Sequence, residues 1–432
     1  MNILIPIEIS SRELMYKIYL CRLLAQKGFN CYLGRKSQIN YLLRTLSDYI
    51  YLDKGYHEGK SEKLYKIIKD QNGFIVSLDE EGGVDYADNS TLLNRYSESF
   101  FKKVDFTFLW GSKQHSLISS RLTDTSKLEV TGHPRFEMLK PAYQHLYKGA
   151  VDNIKKEYGN FLLINTNMGF GNNINGDAFV KTNYGSRFRN IDEIIAFDKK
   201  KIELYIDLVK ELSGAINLEI VFRPHPEECH KTYLREFSDL ENVSVVYSGS
   251  VIPWLLAADK MIHPDCTTAI EAMFLGKQAC SFLPKNYPRD LVTHLPISAS
   301  TLCSNFNEVS DFIANNNMEV SEDSYNLVDS YFSIELASFE IIVARLVSIK
   351  NIFGLTTSEL LWWDRIFLNL KVLRSQLTRT EEQRLVNNKL QDFNWKSVCE
   401  TNGAIDVKDV SENKIKLRRI NNELFLFSSS KS

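Results

Sequence analysis

Short apolar runs alternate with segments of helical period along most of this chain, and that alternation restricts the fold more than any other feature. Such a series builds a parallel sheet covered by helices on both faces. Residues 2–7 read as a strand, 13–26 as a helix closed by Gly28, and 29–33 as the next strand, which makes a βαβ unit. Helix 38–45, strand 49–52, helix 61–71 and strand 73–78 continue it, and strands follow at 106–110 and 128–130. After a polar helical link over 141–158, strands at 161–164, 218–222, 243–247, 260–262 and 279–283 alternate with helices at 199–213, 250–258 and 269–275. From residue 319 the pattern is helical, with amphipathic segments at 327–348 and 358–377, capping boxes beginning at Thr356 and Thr380, and a terminal stretch that reads as frayed. The expected class is α/β in three parts. These are a Rossmann-like domain over 1–145, a second over 159–318, and a helical extension and tail over 319–432.

Composition narrows the function by exclusion. A net charge of −2 over 432 residues excludes a strong general affinity for nucleic acid. Seven cysteines without a CxxC pair point to a reducing compartment, with neither a disulfide framework nor structural zinc. The first residues enter a strand directly and lack the pattern of a signal peptide, and no run of about eighteen apolar residues suggests a spanning helix. The expectation is a cytoplasmic protein that at most lies against the inner membrane or an assembly complex. Trp362 and Trp363 read either as a membrane-facing or partner-facing patch or as core aromatics at helical spacing.

The residues that could carry chemistry stand where strands end, which is where open α/β sheets bind ligands. Arg223-Pro224-His225-Pro226 follows the apolar run 218–222; the prolines fix the backbone, while the arginine and imidazole offer donors to a phosphate. The same residues also suit a rigid turn. His263-Pro264-Asp265-Cys266-Thr267-Thr268 delivers hydroxyls to a helix start, either as an anion site, with Glu271 one turn on for a ribose, or as an ordinary cap. Asp265 could orient His225 or act as a nucleophile. Asn165 and Asn167 end strand 161–164 and either line a cleft or hold a turn. Asp79-Glu80-Glu81 places three carboxylates together before Gly82 and Gly83, where mutual repulsion is expected to raise at least one pKa and make a general base or acid. The long polar stretch 169–189 has too little hydrophobicity for core and the length of a functional loop. No metal-binding or nucleophile-elbow pattern occurs, so neither metal nor cofactor is expected.

Glu80-Glu81-Gly82, Arg223-Pro224-His225-Pro226 and Thr267-Thr268 resemble, in that order, three motifs of bacterial CMP-sugar transferases, the sialyltransferases and the Kdo (3-deoxy-manno-octulosonic acid) transferases among them. Through about residue 350 the chain resembles bacterial surface carbohydrate biosynthesis proteins, with further matches at Leu78-Asp79-Glu80-Glu81-Gly82, Val130-Thr131-Gly132-His133-Pro134-Arg135-Phe136 and Ile164-Asn165-Thr166-Asn167. The resemblance implies a GT-B fold, two Rossmann-like domains facing a cleft, with the donor nucleotide on the C-terminal one. It further implies that His225, Thr267 and Thr268 hold the donor phosphate, with Arg223 and Pro226 in the same motif, that Glu271 approaches the ribose, and that Glu80 or Glu81 deprotonates the acceptor. Two departures stand out: threonines occupy positions where serines are usual, and Asp79 gives the acidic motif a second register. The expected function is transfer of a Kdo-like or sialic-acid-like sugar from a CMP-activated donor to a surface glycan or glycolipid. The alternatives are a CDP-polyol phosphotransferase of teichoic-acid type and a non-catalytic GT-B scaffold subunit.

Overall fold

The structure is a computed structural model and describes every residue except 82–88, 186–189, 248, 286, 289–290, 316–319, 354–357, 378–388, 391, 407–414 and 431–432. Gly82 and Gly83 of the acidic motif, the end of the polar stretch, and both capping threonines, Thr356 and Thr380, lie outside the described residues. The chain divides into two compact units, one of residues 1–82, 90–138 and 329–432, the other of residues 83–89 and 139–328.

In the first unit the strands are β1 (Asn2–Ile7), β2 (Asn30–Arg35), β3 (Tyr49–Asp53), β4 (Phe74–Leu78), β5 (Phe106–Leu109) and β6 (Leu128–Val130). They are parallel in the order β2-β1-β3-β4-β5-β6, with Ile3 opposite both Cys31 and Ile50. All six residues of β1 are buried, as expected for a central strand with helices on both faces. The chain adds β2 on one side of β1 and β3 on the other, so the order reverses between β1 and β3. Such a reversal opens a crevice at the carboxyl ends of the strands.

The second unit contains β7 (Phe161–Asn165), β8 (Glu219–Arg223), β9 (Val243–Val245), β10 (Lys260–His263), β11 (Ala279–Phe282) and β12 (Thr301–Cys303). All are parallel, in the order β9-β8-β7-β10-β11-β12. That is the dinucleotide-fold order, with its reversal between β7 and β10. Segment 141–158 forms the helices Pro141–Gln144 and Lys148–Tyr158, joined by a 3₁₀ turn, and belongs to this unit.

The C-terminal part differs from the expected helical tail. It contains the helices Ser338–Phe353, Trp362–Leu377 and Trp395–Asp406, but then closes with a hairpin, β13 (Ile415–Asn421) and β14 (Leu424–Ser429). Strand β14 pairs antiparallel with β2, so the last residues extend the sheet that the first residues began. The cause is burial: Leu424, Phe425 and Phe427 are fully enclosed, and the hairpin covers a β2 edge that would otherwise expose unpaired backbone. The new edge, β13, carries exposed Lys416, Arg418 and Arg419, which discourage further pairing.

Candidate functional site

In the second unit the carboxyl ends of β7, β8 and β10 are bound together by a few buried polar groups. Glu228, fully buried, accepts through Oε1 from the backbone N–H of His225 (3.0 Å), the N–H of Met168 (3.0 Å) and the hydroxyl of Thr166 (2.7 Å). Its Oε2 accepts from the Tyr233 hydroxyl. Burial raises its pKa against these hydrogen bonds. One carboxylate thus fixes the His225 loop on the end of β7. Asn165 donates to Thr268 Oγ1 (3.1 Å) and Asn167 to the carbonyl of Asp265 (3.1 Å), so both asparagines tie β7 to the loop after β10, across the point of reversal. The polar stretch after β7 is joined to the same loop: Ile174 N–H donates to Glu227 O (2.9 Å) and Cys229 N–H to Asn172 O (2.7 Å).

Three of the expected residues stand differently from their sequence reading. The Arg223 guanidinium lies 5.0 Å over the Trp254 ring and donates to Gly249 O (3.2 Å); burial lowers its pKa to about 10. These contacts turn it toward the loop after β9. Asp265 does not orient His225: its Oδ1 receives Lys201 Nζ (3.2 Å) and its Oδ2 the N–H of Thr293 (3.0 Å). Burial alone would raise the Asp265 pKa, but Lys201 outweighs it and holds the carboxylate low. Both oxygens are committed, which suits a positioning residue better than a nucleophile. Thr267 occupies the N-cap position of helix Thr268–Phe274 without a side-chain cap, because its backbone is already helical (φ −59°, ψ −17°). Glu271 is buried in the first turn of that helix, and Pro226 and His225 are exposed.

In the first unit the acidic group after β4 is divided rather than shared. Asp79 is buried and bound by Arg95 through Nε (2.7 Å) and Nη2; burial raises its pKa, with Arg95 opposing. Glu81 is about half exposed, at 48%, and takes Arg95 Nη1 at 2.7 Å; burial is outweighed by Arg95, and its pKa falls. Glu80 is 3% exposed. Its Oε1 accepts from the Tyr16 hydroxyl and meets Lys17 Nζ at 2.9 Å. Burial would raise the Glu80 pKa, yet the cations Lys17, Lys54 and Arg12 bring it well below the usual range. The expected mutual repulsion is therefore absorbed by separate cations. Lys17 spends its other donors on Pro6 O and Glu13 (2.7 Å each), and Glu13 also receives Lys54 (2.7 Å). These residues follow β1, β3 and β4, so the network sits at the reversal of the first sheet.

Three strand ends carry a His-Pro pair, and all three imidazoles are set in the same way. Nδ1 accepts a backbone N–H, from Arg135 onto His133 (3.1 Å), from Glu227 onto His225 (3.2 Å) and from Cys266 onto His263 (3.2 Å). An accepting Nδ1 leaves the proton of a neutral ring on Nε2. His263 lies 2.7 Å through Nε2 from Ser300 Oγ, and burial lowers its pKa to about 4. His133 is buried, with its pKa lowered to about 3 by that burial, and its Nε2 is 3.8 Å from Glu80 Oε2. Among the described residues neither of these two atoms has a hydrogen-bond partner. Sequence reasoning assigned no role to Tyr16, Lys17, Lys201, Glu228 or His133. Only His133 left a signal, in the repeated His-Pro pairing. Among the described residues no group of three or more His, Cys, Asp or Glu side chains is disposed to hold a metal ion.

No family model and no curated protein sequence matches this chain. Solved structures do. A UDP-GlcNAc 2-epimerase from Methanocaldococcus jannaschii is 12% identical, with a TM-score of 0.52 over 80% of this chain and 99% of its own. A second structure of that organism's UDP-GlcNAc 2-epimerase, in complex with UDP-GlcNAc and UDP, is 11% identical, with a TM-score of 0.50 over 81% of this chain and 100% of its own. The wall teichoic acid polymerase TagF with CDPG is 9% identical, with a TM-score of 0.51 over 81% of this chain and 89% of its own. At such identities the likeness concerns the fold: the chain is an α/β protein of GT-B type, built from two Rossmann-like units.

Proposed function

We propose that this chain is a glycosyltransferase that moves an acidic sugar, Kdo-like or sialic-acid-like, from a CMP-activated donor to a bacterial surface glycan or glycolipid. The observation that carries the reading is the joining of three strand ends at the reversal of the second sheet, with an exposed His225 whose Nδ1 is occupied by Glu227 N–H. An Nε2–H there can donate to the phosphate, together with the Thr267 hydroxyl and with that of Thr268 once it exchanges its contact to Cys266 Sγ (3.2 Å). Glu271 takes the ribose. In the reaction, the bond between the anomeric carbon and the phosphate oxygen breaks, its electron pair leaves with CMP, and donors on the phosphate stabilise the growing charge. The acceptor oxygen bonds to the anomeric carbon, and its proton passes to a carboxylate.

We assign that carboxylate to Glu80. It is ionised at neutral pH, and a buried oxygen with no hydrogen-bond partner among the described residues, facing a buried imidazole nitrogen in the same position, calls for a functional explanation. Glu81 is the accessible neighbour, held by Arg95. The reading requires Oε2 to be uncovered when the acceptor binds. A second reading, transfer of a polyol phosphate from a CDP-activated donor, draws on the likeness to TagF with CDPG.

Calorimetry with CMP, CDP and UDP separates these readings. CMP binding tightest supports the sugar transferase, CDP binding tightest supports the polyol phosphate reading, and binding of none, or of UDP equally, removes both. His225→Ala should weaken CMP about tenfold or more, as expected for loss of a hydrogen bond to a charged group. Glu80→Gln should lower transfer by about a hundredfold or more with CMP affinity retained, and full turnover in that variant assigns the base elsewhere.

A further inference from the structure

Helix Trp362–Leu377 packs on the rest of its unit through one buried stripe, with Phe367 stacked on Tyr41 (5.0 Å) and Lys371 donating to Ser37 O (3.2 Å) beside it. Asp364, Leu368 and Val372, spaced by four, are buried; Asp364 accepts from the Tyr41 hydroxyl (3.0 Å) and caps the Leu361 N–H (3.0 Å). The rest of the helix should be polar if it only faced water. Instead, Trp362, Trp363, Ile366, Phe367, Leu370 and Leu373 are each between 49% and 67% exposed. At 100° per residue these six fall on one arc, opposite the buried stripe.

The exposed charge on the helix itself has one sign. Arg365 and Arg374 are exposed on the helix and Lys371 is half-buried at its flank, while the helix's acid, Asp364, is turned inward. Glu359 lies exposed just ahead of the helix. Exposed Arg44 lies close enough to Lys371 to lower its pKa further, after burial, and β13, against which the helix packs, exposes Lys416, Arg418 and Arg419. From this geometry we infer that helix Trp362–Leu377 lies in the surface of an anionic lipid bilayer, with its tryptophans at headgroup depth and its arginines on the lipid phosphates.

An apolar arc with tryptophan at one end, Lys371 and Arg365 to either side of it and Arg374 within its last turn is the composition of an interfacial helix. A second copy laid antiparallel across the middle of the same arc would set Arg365 against Arg374, because in a two-fold contact residue i faces j and j faces i. No helix among the described residues is long and apolar enough to cross a membrane, so this segment lies on the bilayer rather than through it. The inference does not depend on which donor the chain uses.

The test is flotation of the full chain with vesicles of phosphatidylcholine alone and of phosphatidylcholine mixed with phosphatidylglycerol. Binding is expected on the mixed vesicles, with a blue shift of tryptophan emission. Trp363→Ser combined with Phe367→Ser should weaken it about tenfold or more. Arg365→Glu and Arg374→Glu should each weaken it about fivefold or more on the mixed vesicles. Trp363, Arg365 and Arg374 are exposed, so their single variants should melt as the wild type does; Phe367 stacks on Tyr41, so Trp363→Ser alone serves as the control for the double variant, and circular dichroism checks that each is folded. Absence of binding to mixed vesicles overturns the inference, as does binding undiminished in every variant. Self-association of the wild-type chain in ultracentrifugation, abolished by Trp363→Ser with Phe367→Ser, would also overturn it and assign the arc to a second copy.

Discussion

Nε2 of His133 stands 3.8 Å from Oε2 of Glu80, and both atoms are buried with no hydrogen-bond partner among the described residues. The imidazole is neutral because burial lowers its pKa to about 3. In the unfolded chain it titrates near the ordinary value of 6.5. Between those values the unfolded state binds a proton that the folded state does not, so stability is greatest above about pH 6.5 and falls as pH drops toward 3. His263, lowered to about 4, acts in the same direction. Glu80 and Asp265, both held low, add stability that is present above the ordinary carboxylate pKa and lost only as pH falls through their folded values. Asp53, raised by burial to about 6, and Asp79 and Glu228, also raised, act in the opposite direction, so the readout is a difference: in urea unfolding from about pH 8 to about pH 4 the wild type should lose stability relative to His133→Asn from near pH 6.5 downward. An unchanged slope in the variant would place the titration elsewhere.

Lys17 is the cation on which two buried carboxylates depend. Its ammonium touches Glu13 and Glu80, and burial, which would lower its pKa, is outweighed by both. Lys17→Met keeps the length of the side chain and removes the charge, leaving Glu80 and Glu13 to Lys54 and Arg12 alone. Breaking a buried pair from one side typically costs about 3 to 5 kcal/mol, and that loss should appear in denaturant unfolding. A variant as stable as the wild type would mean that the network carries no net stabilisation.

Glu228 should matter through its acceptors rather than its charge. Glu228→Gln keeps a carbonyl oxygen for the His225 and Met168 N–H groups, so folding and CMP affinity should change little. Glu228→Ala removes the acceptor of two backbone donors and of Thr166, at about 1 to 3 kcal/mol for each group left buried and unpaired. CMP affinity should fall with it, because the His225 loop loses its anchor. Equal behaviour of the two variants in calorimetry and melting would refute the anchoring role.

The terminal hairpin should be indispensable to the first unit. Ending the chain before Ile415 removes Leu424, Phe425 and Phe427 from the core and leaves β2 an open edge. The shortened chain is expected to aggregate, which light scattering would record. A monomer with unchanged melting would show that the hairpin is an accessory.

Local pattern carried much of the architecture. The period of each segment marks strands and helices, so the parallel α/β class and the polar residues at strand ends, Glu80, Asn165, His225 and Thr267 among them, could be named from sequence. The closing hairpin was also present there, as the apolar run 424–427 after Asn421 and Asn422, but a short run after long helices reads as a frayed end until its partner is known. Only the tertiary structure decided how the charges are shared. Arg95 takes Asp79 and Glu81, Tyr16 and Lys17 come 64 and 63 residues before Glu80, and Lys201 stands 64 residues before Asp265. The reason is physical: a strand's end follows from the residues beside it, whereas a buried carboxylate's ionisation follows from whichever cation the fold brings within a few ångströms, and one-dimensional spacing holds no record of that.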